Sequence, residues 1–265
     1  MVEDAFEGLR LEPRGAVWQI TLSRPEVLNR FDDELHRGFI SVLEHVRDAR
    51  DVRAVVLAAE GKVFSAGGNF DLMRDAHADP AARRATVDDA RRLLGALIDV
   101  PQPIVVALNG AAMGLGATVV LACDAVVAHP KAVLADTHVN IGLVAGDGGC
   151  LVWPAAAGML RARRHLLTGD PVDGRLGYQL GLVTDLVETP EEVLPATCAL
   201  ADRIAALPPL AVQSTKRVLN RITQQRAGEM LDLSLAYEEA TLASDDLLEG
   251  IAAFQEKRPG RYKGC

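Results

Sequence analysis

Aromatic residues make up only 4% of this 265-residue chain, and its 28 lysines and arginines fall short of its 36 aspartates and glutamates. The resulting net charge of −8 excludes a general binder of nucleic acid or anionic membrane, since phosphate surfaces demand basic partners. The four cysteines (Cys123, Cys150, Cys198 and Cys265) have no CxxC spacing, and the six histidines form no i, i+4 pair. Reduced, packing thiols and no metal are therefore expected. No run approaches the roughly 20 apolar residues of a membrane span. Met1 to Glu7 carries acid where a signal peptide carries positive charge. The expectation is a cytoplasmic protein with neither membrane nor nucleic-acid partners.

What the chain has is alanine, valine and leucine, within a 49% hydrophobic composition that can fill a sizeable core. Ala16 to Leu22 alternates like a strand, and acids at Asp32, Asp33 and Glu34 open a helix running to about Ala49. Val52 to Ala59 and Ile104 to Leu108 are apolar enough for strands buried on both faces, and Ala81 to Ile98 reads as an exposed amphipathic helix. Short strands are expected at 124–128, 133–135 and 185–187, with helices nearly everywhere else after Gly149. Alanine- and leucine-rich tail helices need a surface to cover, which points to self-association.

Two glycine-rich turns stand out, Phe64-Ser65-Ala66-Gly67-Gly68-Asn69-Phe70 and Asn109-Gly110-Ala111-Ala112-Met113-Gly114-Leu115-Gly116. Each follows a β-branched run and precedes a helix-like stretch. Paired turns of this kind can aim two free N–H groups at one point and hold a developing oxyanion. Gly114-x-Gly116 lacks the third glycine of a dinucleotide fingerprint, because Val119 stands in its place.

Together with Ser23 to Asn29, Leu166 to Asp170 and Ala253 to Arg258, these motifs resemble the crotonase, or enoyl-CoA hydratase/isomerase, superfamily over essentially the whole chain. The resemblance implies an α/β fold, a crotonase-like spiral of ββα units with a C-terminal helical trimerisation region. It divides the chain into a 1–190 core holding the oxyanion hole and a 191–265 region for oligomerisation and completion of the CoA site. It places the oxyanion donors at the backbone N–H of Ala66 and Leu115, where leucine replaces the commoner glycine and narrows the pocket. It puts Leu28, Arg30, Gly68 and Phe70 along the CoA chain and adenine, with Gly114 and Thr118 at the pocket. Phe254 and Lys257 fall where a neighbouring subunit's tail approaches the nucleotide. The implied assembly is a homotrimer or a dimer of trimers, with coenzyme A entering only as part of the substrate and no other cofactor.

The match departs at its chemistry. Family hydratases use two glutamates, since hydration needs acid and base at adjacent carbons; here their positions hold Thr118 and His138. Threonine is no base near neutral pH. Asp147, nine residues after His138, is the candidate partner that would orient the imidazole and make it the general base, a spacing that resembles the family's β-diketone hydrolase branch. Asp136, on the same side of a short strand as His138 by alternation, ranks second. Met113 and Trp153 are candidate pocket walls. The leading expectation is an enzyme of acyl-CoA thioesters in which isomerase or hydrolase chemistry is favoured over simple hydration. A β-dicarbonyl C–C hydrolase without CoA and a non-catalytic acyl-CoA-binding relative are the alternatives.

Overall fold

Ala54-Val55-Val56-Leu57 and Ile104-Val105-Val106-Ala107-Leu108 are buried along their whole length, as strands covered on both faces must be. They are central to a computed structural model that describes residues 6–265; the acidic opening segment, through residue 5, lies outside the described residues. In chain order the strands are β1 (Leu9–Arg14), β2 (Val17–Leu22), β3 (Ala54–Ala59), β4 (Val63–Ser65), β5 (Ile104–Leu108), β6 (Ala111–Met113), β7 (Ala125–Ala128), β8 (Val133–Ala135), β9 (Val172–Asp173) and β10 (Asp185–Leu186). The helices are α1 (Asp33–Asp48), α2 (Phe70–Ala78), α3 (Pro80–Asp99), α4 (Leu115–Leu121), α5 (Gly149–Ala157), α6 (Met159–Leu166), α7 (Gly174–Leu180), α8 (Pro190–Ala205), α9 (Pro209–Leu242) and α10 (Asp245–Glu256).

Two sheets result, one of six strands in the order β1-β2-β3-β5-β7-β10 and one of four in the order β4-β6-β8-β9. The architecture is a spiral of ββα units. Each unit gives its first strand to the large sheet and its second to the small one: β3 then β4, β5 then β6, β7 then β8. β4, β6 and β8 run parallel side by side, so their C-terminal ends share one edge. The first glycine turn leaves β4, the second leaves β6, and Asp136 to His138 leaves β8. Topology alone therefore gathers the three segments that the sequence singled out.

Local chemistry agrees with the elements. Asp32 caps α1 by accepting the Leu35 N–H at 3.1 Å, and α1 buries Leu35, Phe39, Val42, Leu43 and Val46. The helix expected as exposed, α3, is half-buried instead: Val87, Ala90, Leu93, Leu94, Leu97 and Ile98 face inward, while Arg84, Arg91 and Arg92 lie outward. β1 is an addition to the sequence reading, and α2 is the helix-like stretch expected after the first glycine turn. β1 pairs antiparallel at the edge of the large sheet, and α2 is capped by Asn69, whose Oδ1 accepts the Asp71 N–H.

Residue 190 opens α8, which buries Val193, Ala201 and Ala205 against Val56, Val105 and Val127 of the large sheet. The Pro208-Pro209 step turns the chain by 108° into α9. Lys216 then tethers α9 to the core, donating to the Gln102 carbonyl at 2.9 Å and pairing with Asp124 at 2.6 Å. No single helix among the described residues is long and apolar enough to cross a membrane.

Candidate active site

The two glycine turns touch. Gly67 has φ +85°, and a Cβ there would lie 2.5 Å from the Met113 carbonyl oxygen. A Cβ on Gly116 would stand 2.8 Å from that of Ser65. Only glycine allows backbones this close. Buried Asn29 fastens the Pro25 segment beneath the first turn, its amide donating to the Glu60 and Val63 carbonyls, while Ser65 Oγ donates to the Asn29 carbonyl at 2.7 Å.

The donor expected on the first turn has to be corrected. The Ala66 N–H is already given to the Leu28 carbonyl at 2.9 Å, and the Gly67 N–H goes to Ser65 Oγ at 3.2 Å. Two residues on from Ala66, the N–H of Gly68 meets no acceptor among the described residues, and Gly68 lines the cavity between the turns. Leu115 opens α4, so its N–H has no partner inside the helix. The free pair is Gly68 and Leu115.

The cavity has a volume of about 380 Å³. Its walls include Gly67, Gly68 and Gly114 with Phe70, Met73, Met113 and Ile141, and among the described residues His138 is its one ionisable lining residue. Gly114 backs the imidazole: a Cβ there would lie 3.3 Å from His138 Cε1. Trp153 is fully buried in the core and is no wall.

His138 stands between two carboxylates. Its Nδ1 is 2.7 Å from Asp136 Oδ1 and its Nε2 is 3.3 Å from Asp147 Oδ2. All three side chains are buried. Burial opposes a charged ring, but the fields of Asp147 and Asp136 and their hydrogen bonds outweigh it, and the His138 pKa stands well above the ordinary histidine value. Burial likewise penalises the Asp147 anion, yet the His138 charge, the Thr118 hydroxyl and the Gly149 N–H hold its pKa below the usual carboxylate value. Thr118 Oγ1 donates to Asp147 Oδ1 at 3.1 Å. The threonine in the first glutamate's place thus steadies the aspartate.

The other expected site residues separate. Leu28 is half exposed and left-handed, with φ 57°; Arg30 keeps its Nε buried without a partner; neither lines the cavity. Phe254 does line it, its ring 5.4 Å from that of Phe70 and edge-on. The Phe254 that lines this cavity is the chain's own. Lys257 ends α10 in a left-handed conformation, exposed to solvent. Among the described residues no cluster of three or more histidine, cysteine or acidic side chains has the arrangement of a metal site.

The chain is similar to known proteins over nearly its whole length. The pattern of the enoyl-CoA hydratase/isomerase family matches residues 12–265. The chain is 30% identical over 254 residues to 1,2-epoxyphenylacetyl-CoA isomerase of Escherichia coli, covering 94% of this chain and 95% of that protein. It is 29% identical over 264 residues to the trans-2-decenoyl-[acyl-carrier-protein] isomerase of Streptococcus mutans, covering 98% and 99%. Among solved structures, an enoyl-CoA hydratase/isomerase from Mycobacterium paratuberculosis superposes with a TM-score of 0.88 at 35% identity, over 93% of this chain and 98% of that one.

Proposed function

The chain belongs to the enoyl-CoA hydratase/isomerase family, and from that premise we propose that it acts on acyl thioesters through a single proton-transfer centre at His138. The observation that carries this reading is that, among the described residues, His138 is the one ionisable side chain lining the cavity. Hydration across a double bond needs an acid and a base on adjacent carbons. Double-bond isomerisation needs one group that takes a proton from one carbon and returns it to another.

In this reading the thioester oxygen lies between the N–H groups of Gly68 and Leu115, which stabilise the enolate as charge moves onto it. Neutral His138 accepts the substrate proton at Nε2. Asp147, held by Thr118, and Asp136, on Nδ1, stabilise the imidazolium so formed, and the ring, whose proton exchanges with solvent, then protonates the far carbon of the conjugated carbanion. The two carboxylates make His138 a stronger base while keeping the resting ring protonated over more of the pH scale.

One observation favours a second, hydrolytic reading. The imidazole packs against Gly114, next to the Leu115 donor, so a water held by His138 would stand near the carbonyl carbon. On a β-dicarbonyl, that water adds to one carbonyl and gives its proton to His138. The carbon–carbon bond breaks, and the departing enolate takes the proton back.

Purified protein is to be incubated with β,γ-enoyl-CoA esters and, separately, with cyclic β-diketones. Conversion of the former to conjugated esters supports the isomerase, and ring opening of the latter without competition by CoA supports the hydrolase. Tight CoA-ester binding with turnover of neither, unchanged in His138→Ala, would identify a non-catalytic acyl-CoA binder and overturn both.

A further inference from the structure

α9 presents Ser234 and Glu238, one turn apart, to the segment that carries Asp147. Ser234 Oγ donates to the Gly146 carbonyl at 3.2 Å, and a Cβ on Gly146 would lie 2.6 Å from both Cβ and Oε2 of Glu238. Helix and loop are in direct contact here, which is why residue 146 is glycine. Glu238 is only 6% exposed, and its Oε2 has no hydrogen-bond partner. It does not line the substrate cavity, so it touches no reacting atom.

The charges that act on it are those of Asp147, His138 and Asp136. Cys150 of α5 hydrogen-bonds Ser234, and His77 of α2 contacts the Leu242 carbonyl one turn further along α9. Burial, then the Asp147 charge, push the Glu238 carboxyl up to about 8, with the His138 charge pulling the other way. An unpaired buried oxygen between like charges keeps its proton.

We propose that Glu238 is a positioning residue for proton transfer at His138: ionised, it adds a third negative charge around the imidazolium and holds its proton; protonated, it lets that proton leave. Coupling of this kind is reciprocal, so the His138 charge also eases ionisation of Glu238. Helix α9 would thereby set the pH at which the site can act as a base. This rests on the reading of His138 as the proton carrier, and its test is therefore made on the ring itself.

The ring of His138 is to be titrated by NMR in the full-length protein carrying labelled histidine, as wild type, Glu238→Gln and Glu238→Asp. The expected result is a His138 midpoint lower in Glu238→Gln by about one pH unit, with Glu238→Asp close to wild type. Equal midpoints in wild type and Glu238→Gln overturn the proposal. Labelled glutamate in the wild-type protein supplies a second reading that needs no variant: the His138 signal should show an inflection where the Glu238 carboxyl titrates, and its absence there overturns the proposal too. Loss of turnover bears only on the functional reading, because the titration registers the coupling whether or not substrate is converted.

Discussion

Asp136 Oδ1 lies 2.7 Å from Nδ1 of His138, closer than the 3.3 Å that separates Asp147 from Nε2. The carboxylate two residues away therefore orients the ring, and the one nine residues away faces the nitrogen that is available for chemistry. Asp136→Asn should destabilise the imidazolium and lower the pKa of His138. The pH profile of kcat/KM in wild type should rise with a midpoint above the ordinary histidine value of 6.5. In Asp136→Asn that midpoint should move to lower pH. A profile flat through this range in both proteins would remove His138 from the proton-transfer step.

The Thr118 side chain reaches the site through its hydroxyl's hydrogen bond to Asp147. Thr118→Val keeps the shape and removes the hydroxyl, so the aspartate loses one of its hydrogen bonds. A hydrogen bond to a charged group contributes about 1.5–3 kcal/mol, which corresponds to roughly a tenfold or greater fall in kcat. KM should change little, since Thr118 does not line the cavity. Steady-state kinetics on the active substrate decides this.

Gly67→Ala forces a side chain into positive φ and against the Met113 carbonyl. The turn has to shift, and the Gly68 N–H shifts with it. Loss of one oxyanion donor costs about 10²–10³ in kcat, and a loss of that size is expected, with CoA-ester affinity much less affected. Circular dichroism and a thermal melt will separate this from misfolding.

Protonation should also leave its mark on stability. The folded pKa of His138 is raised, so its contribution is complete below about 6.5 and is lost as pH rises through the folded value. Glu238 acts in the same direction: its folded value of about 8 against 4.5 means that the cost of ionising a buried carboxyl grows from pH 4.5 to 8. Wild type should lose stability toward alkaline pH, and Glu238→Gln should lose less. Denaturant midpoints at pH 6 and pH 9 are the measurement; an equal loss in both proteins would contradict the pKa assigned to Glu238.

The sequence made some of this site legible and hid the rest for definable reasons. Glycine turns after apolar strands announce themselves, because few other residues permit such bends, and β4, β6 and β8 then place them together. Which N–H remains free did not follow from the motif, since Ala66 is used up by Leu28, a residue from a separate segment. Asp136 does stand beside His138, but not by strand alternation: β8 ends at Ala135, and a turn in which the His138 N–H donates to Asp136 Oδ1 brings them together; only the three-dimensional path of the 142–147 loop shows that Asp147 reaches the far nitrogen. Glu238 gave no local signal. It is one of several charged residues on a long helix, and its burial depends on how α9 lies across the Gly146 turn. The i, i+4 pair of Ser234 and Glu238 among apolar neighbours was the one hint available.

The central claim is that His138, between Asp136 and Asp147, carries one proton to and from an enolate held by Gly68 and Leu115. Its most direct test is deuterium incorporation from D₂O into an acyl-CoA substrate, followed by mass spectrometry, in wild type and His138→Ala at matched CoA-ester occupancy. Wild type should incorporate deuterium at the carbon next to the thioester or at its conjugated position, and His138→Ala should be slower by about 10²–10⁴. Incorporation at an undiminished rate in His138→Ala would contradict the account.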